Sequence, residues 1–119
     1  MSVTIYHNPR CSKSRQTLSL LKEHAIEPDV IEYLKAPPDA VALDRLLHML
    51  GLEPRGLMRK KEQEYKALGL DNPDLTRAQL IAAMVEHPRL IERPIVVSGG
   101  RAALGRPPEQ VLDILDRGR

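Results

Sequence analysis

Val3–Leu21 reads VTIYHNPRCSKSRQTLSLL, and its reading decides the fold. The first four residues are all β-branched or aromatic, which is a strand signature. Asn8-Pro9 breaks that run. From about Ser12 the apolar spacing turns helical, with Leu18, Leu21 and Ala25 on one face. A second strand candidate, DVIEY over Asp29–Tyr33, follows Pro28. Strand, helix and strand in such a short span predict a right-handed parallel βαβ unit.

The stretch also contains Cys11, the only cysteine of the 119 residues. The reading puts it where a strand ends and a helix begins. Helix N-termini present unpaired N–H groups and a partial positive charge, and both favour a thiolate over a thiol. Arg10, Lys13 and Arg15 add cationic charge, and His7 lies on the approach from the strand. A depressed thiol pKa is therefore expected. Cysteines buried as small apolar groups have hydrocarbon around them, whereas HNPRCSKSR is polar and basic.

One cysteine can neither form an internal disulfide nor complete a zinc set. His24, His48 and His87 fall at no metal-ligand spacing. The formal charge of +2 is too small to argue for a nucleic-acid partner. No apolar run approaches the roughly 20 residues of a membrane helix. The expectation is a cytoplasmic monomer with no bound cofactor and no membrane or nucleic-acid partner. Without Phe or Trp, the core falls to Leu, Ile, Val, Ala and Met.

Further along, Asp39 predicts an N-cap for a helix carrying Leu43, Leu46, Leu47 and Leu50, with Gly51 closing it. The next segment predicts a turn and a short helix ending near Gly69. Thr76 and Gln79 have the spacing of a capping box for a helix bearing Leu80, Ile81, Met84 and Val85. Pro94 opens a strand over Ile95–Val97, Ser98-Gly99-Gly100 predicts a hairpin turn, and Arg101–Leu104 returns. Pro107-Pro108 starts a final helix to about Asp116 with Val111, Ile114 and Leu115 facing inward, and the tail DRGR is expected to fray. The whole reads as one α/β domain over residues 1–119: βαβ, a helical insert, then ββα around a small mixed sheet.

Two reactive-cysteine patterns fail. A phosphatase-type loop needs an arginine six positions after the cysteine, where this chain has Thr17. A CxxC pair needs a second cysteine where this chain has Ser14. A single thiol cannot resolve its own intermediate and needs one from another molecule.

Four segments, HNPRCSKSRQTL, LMRKKEQEYKALGL, ERPIVV and GRPPEQVLDIL, together resemble the ArsC family, the glutaredoxin-coupled arsenate reductases. The resemblance covers nearly the whole chain in order. It implies a thioredoxin-like fold, with the Arg93-Pro94 bond cis. It implies that Cys11 attacks arsenate, that Arg59, Arg93 and Arg106 hold the oxyanion, and that His7 helps tune the thiol. Glutathione would be a co-substrate and glutaredoxin the reductant. Arginine suits a tetrahedral dianion because its planar fork of N–H donors stays charged. Ser14 could bond the thiolate or cap the helix. Ser12-Lys13 stands where better-established arsenate reductases carry Gly-Thr, which leaves room for a glutathione-dependent thiol oxidoreductase of another substrate. The superfamily also includes Spx-like regulators, which bind RNA polymerase and use a CxxC switch; Ser14 in place of the second cysteine argues against that switch, though not against binding.

Overall fold

The structure, a computed structural model, describes residues 2–115. Four strands form one mixed sheet: β1 (Val3–His7), β2 (Asp29–Glu32), β3 (Ile95–Ser98) and β4 (Arg101–Leu104), in the order β2-β1-β3-β4. β1 and β2 are parallel, joined by helix α1 (Ser12–Glu23), while β1–β3 and β3–β4 are antiparallel. This is the thioredoxin-like α/β arrangement that the resemblance implies.

Close contacts group the chain into two compact units. One runs up to Ala36 and resumes at Arg93, and the other is Pro37–Glu92. The first holds the sheet. Val3 and Ile5 of β1, Val96 of β3, Leu21 of α1 and Val111, Ile114 and Leu115 form its buried apolar cluster. Alternation along β1 is complete, with Val3, Ile5 and His7 buried and Thr4 and Tyr6 half-buried, as a period of two requires.

Two sequence expectations change in this unit. α1 ends at Glu23, and Ala25 lies beyond it, exposed and in the left-handed region at φ 60°. The fully buried residues of α1 are Ser14, Thr17 and Leu21, so two small polar side chains join Leu21 on the inner face, while the expected Leu18 packs partly buried against the same cluster. The final helix is a 3-10 helix over Pro108–Ile114 instead of an α-helix. Val111, Ile114 and Leu115 are buried as expected, but the expected end at Asp116 and the tail DRGR lie outside the described residues.

In the second unit the capping signals hold. α2 (Ala40–Leu50) starts at Asp39, whose side chain accepts from the Ala42 N–H at 2.8 Å, and ends at Gly51 with φ 68°. α3 (Gln63–Ala67) is the short helix expected before Gly69. α4 (Arg77–Glu86) begins with the complete capping box of Thr76 and Gln79. α2 packs on α4, burying Leu43, Leu46, Leu47, Leu80, Ile81 and Met84. Two 3-10 turns, Pro54–Leu57 and Pro88–Leu90, were not legible in the sequence. No described helix is long and apolar enough to cross a membrane.

Candidate active site

Strand register explains why residues far apart in sequence meet at Cys11. Tyr6, near the end of β1, pairs with Ile95 at the start of β3. Ile95 in turn pairs with Leu104 at the end of β4. The peptide entering β3 (Arg93-Pro94) and the peptide leaving β4 (Gly105-Arg106) therefore lie at the sheet edge where β1 runs out toward Cys11. Both Arg93-Pro94 and Arg106-Pro107 are cis. Gly105 N–H donates to the Pro94 carbonyl at 3.0 Å, and Arg106 Nη1 donates to the Arg93 carbonyl at 3.2 Å, which tie the two arginine-bearing segments together.

Gly105 is a site residue that sequence reasoning missed. A Cβ there would overlap Thr17 Oγ1 and come within 2.8 Å of Pro94 Cγ. Helix α1 and the Pro94 segment can approach each other this closely only because position 105 has no side chain. The sequence offered a lone glycine before Arg106, with no pattern to distinguish it from a turn residue.

Cys11 is the N-cap of α1, extended at φ −94° and ψ 125°. Its N–H donates to the Asn8 carbonyl at 3.0 Å, and its own carbonyl accepts from Arg15 N–H at 3.0 Å. These bonds fix the residue between loop and helix. It is 8% exposed. Burial pushes the thiol pKa up, but the Ser14 N–H, the Arg93 charge, the Lys13 N–H and the Arg106 charge pull it down. The net result lies below the ordinary 9.0. The direction agrees with the sequence expectation, while the source of charge differs in part. The cations that act on the sulfur come from Arg93 and Arg106 across the sheet edge. Arg10 is exposed, and Arg15 turns back to donate to the Pro9 carbonyl at 2.9 Å.

Ser14 and His7 are both buried and face each other, with His7 Nδ1 2.6 Å from Ser14 Oγ. Ser14 Oγ also accepts from the Asn8 N–H at 3.0 Å. The Ser14 hydroxyl therefore braces the loop before Cys11, while the same residue's backbone N–H serves the sulfur. It makes neither of the hydroxyl contacts expected of it, to the thiolate or to a cap position. Burial lowers the His7 pKa, Glu32 beside it on β2 raises it, and Arg15 lowers it, for a net decrease from 6.5. The neutral imidazole that results can accept the Ser14 hydroxyl proton at Nδ1 when its own proton is on Nε2.

Arg59 belongs to the second unit. Its N–H donates to the Leu90 carbonyl at 2.7 Å, next to the Met58–Ile91 bridge. Its guanidinium meets Glu62 at 2.7 Å and Glu92 at 3.9 Å. Glu62 also meets Arg89 at 3.2 Å, so Arg59 sits in a network of alternating charge rather than on a bare solvated face. Among the described residues no cluster of His, Cys, Asp or Glu could hold a metal ion.

Comparison with known proteins completes the picture. The ArsC family model matches residues 6–114. An Escherichia coli K12 protein named "Uncharacterized protein YfgD" is 58% identical over 95% of this chain and 96% of its own. A Neisseria meningitidis protein named "Arsenate reductase" is 51% identical over 95% of this chain and 97% of its own. The solved structure described as arsenate reductase from Vibrio cholerae superposes with a TM-score of 0.95 at 59% identity, covering 97% of this chain and 98% of that one. With a thioredoxin-like sheet, a cysteine at the helix start and a family match over almost its full length, this chain belongs to the ArsC family.

Proposed function

We propose that this protein is an arsenate reductase that works through the Cys11 thiolate. One observation carries the reading: a depressed thiol at a helix start, with the Arg93 and Arg106 charges acting on it. Only the thiolate is a competent nucleophile, and attack on an oxyanion suffers charge repulsion that guanidinium groups offset. Arsenate is a tetrahedral dianion that matches N–H donors from arginine and from the backbone after Cys11. The names of relatives near 50% identity support the same substrate.

In the proposed cycle the Cys11 sulfur bonds to arsenic and an arsenate oxygen leaves as water once protonated. The glutathione thiol then displaces a second arsenate oxygen as water and forms a sulfur–arsenic bond. A glutaredoxin thiolate attacks that glutathione sulfur, and a glutaredoxin–glutathione disulfide forms. The electron pair of the broken bond reduces As(V) to As(III), and water cleaves the Cys11–arsenic bond to release arsenite and the free thiol. A second thiol must come from outside because the sequence has only one cysteine. By resemblance to the family Arg59 is a further candidate for binding the oxyanion, and within the second unit Glu62 and Glu92 meet its guanidinium. The Ser12-Lys13 pair favours one second reading, a glutathione-dependent thiol oxidoreductase of a different substrate.

Arsenate-dependent NADPH oxidation, coupled through glutathione, glutaredoxin and glutathione reductase, tests the proposal. Cys11→Ser should fall to background. Arg93→Ala or Arg106→Ala should each lower kcat/KM for arsenate by roughly 10- to 100-fold, as expected for a lost charged hydrogen bond. Turnover retained by Cys11→Ser would rule the mechanism out, and glutathione-dependent activity without any arsenate dependence would select the second reading.

A further inference from the structure

The loop between β1 and α1 accounts for each of its own backbone donors. Asn8 N–H donates to Ser14 Oγ at 3.0 Å, and Pro9 has no N–H. Arg10 N–H donates to the Asn8 side-chain oxygen Oδ1 at 3.0 Å, and Cys11 N–H donates to the Asn8 carbonyl at 3.0 Å. Asn8 is a party to all three bonds. It stands directly after β1, whose last residue, His7, pairs with Glu32 of β2. With the loop donors taken, the N–H groups left for the sulfur belong to α1, and those of Lys13 and Ser14 act on it.

Asparagine suits this place because its short side-chain oxygen reaches the N–H two residues on, closing an Asx turn. Pro9 fixes φ inside that turn, so the chain leaves β1 with little freedom before Cys11. From these contacts we propose that Asn8 is a positioning residue for the nucleophile: its side-chain oxygen closes the turn that seats the Cys11 sulfur at the Lys13 and Ser14 N–H groups. It acts through the backbone, by way of the Arg10 N–H. The Arg93 and Arg106 charges on the sulfur arrive from the sheet edge and do not depend on this turn. The inference deepens the proposed function, on which it rests for what the thiolate does.

The pH profile of Cys11 alkylation by iodoacetamide, run without arsenate, tests it. Asn8→Ala removes the acceptor. Its midpoint should rise, and its rate at pH 7 should fall roughly fivefold, the scale of one neutral hydrogen bond. The two rates should converge at high pH, where both thiols are ionised. Asn8→Ser keeps an oxygen able to accept from the Arg10 N–H and should recover most of the loss. The second unit supplies a matched control, because Asp74 N–H donates to Asn72 Oδ1 at 2.9 Å in the same kind of turn. Asn72→Ala should leave the midpoint unchanged. In the wild-type protein the Arg10 amide should exchange slowly with solvent although the residue is exposed. A wild-type midpoint in Asn8→Ala, no recovery in Asn8→Ser, an equal shift in Asn72→Ala, or unprotected exchange at Arg10 would overturn the assignment. Arsenate turnover is a separate readout, and its absence would count against the proposed function while leaving these results standing.

Discussion

Substituting Gly105 with Ala should destabilise the protein sharply although it adds only one methyl group. The new Cβ would overlap Thr17 Oγ1 and lie 2.8 Å from Pro94 Cγ and 3.1 Å from Thr17 Cγ2. Pro94 is a ring with little freedom, and Thr17 is fully buried with its hydroxyl donating to the Lys13 carbonyl at 2.8 Å. Relief by rotating Thr17 would break that bond, at about 1 kcal/mol. Overpacking at a tight site costs about 1–3 kcal/mol more. Reduced freedom of the unfolded chain returns about 0.4–1 kcal/mol. The balance is a loss of about 1–3.6 kcal/mol, or a fall in Tm on the order of 10 °C for a domain of this size. Urea unfolding read by circular dichroism measures it directly. Thr17→Ala removes both clashing Thr17 atoms, so the double variant that combines Gly105→Ala with Thr17→Ala should be more stable than the sum of the single changes by at least about 1 kcal/mol. Gly105→Ala within about 0.5 kcal/mol of wild type, the usual scale for surface changes, or strict additivity in the double variant, would refute the close-approach argument.

Other consequences follow from the same contacts. Ser14→Ala would leave both the His7 ring nitrogen and the Asn8 N–H without the hydroxyl, and should cost about 1–3 kcal/mol in unfolding free energy. It should also slow Cys11 alkylation at pH 7, because the bracing of the Asn8–Cys11 loop is lost. The folded-state pKa of His7 is depressed, so the unfolded chain binds more protons as pH falls. Stability from this group is therefore complete above the unfolded value near 6.5 and declines as pH drops below it, and His7→Gln should flatten that decline in denaturation midpoints. Replacing Asp39 or Thr76 by Ala should each cost about 1 kcal/mol in urea unfolding, since both caps are formed.

The local signals in this chain were legible because their chemistry is local. Asp39, Gly51 and the capping box of Thr76 and Gln79 mark helix ends through bonds spanning three or four residues, and the Ser98-Gly99-Gly100 turn fixes the β3–β4 hairpin the same way. The position of Cys11 at a helix start was equally readable from Asn8-Pro9 and the apolar spacing after it. What spacing could not supply was set by strand register. The arginines at the thiol lie far along the sequence from Cys11, beyond the whole second unit, and only the antiparallel pairing of β1 with β3 and of β3 with β4 brings them to it. Family resemblance named them, whereas nearest-neighbour charge pointed to Arg10, Lys13 and Arg15. The final helix was mistaken in type because Val111, Ile114 and Leu115 satisfy a 3-10 as well as an α spacing over so short a span. Gly105 and the hydroxyl role of Ser14 depend on which surfaces touch, and no period in the sequence encodes that.

The pH dependence of Cys11 alkylation by iodoacetamide, run with and without arsenate, tests the central claim most directly. The thiolate cradled by the α1 N–H groups and the two guanidinium groups predicts a midpoint below the ordinary thiol value of 9.0, and slower alkylation when arsenate occupies those donors. A midpoint at or above that value, with no protection by the anion, would contradict the account.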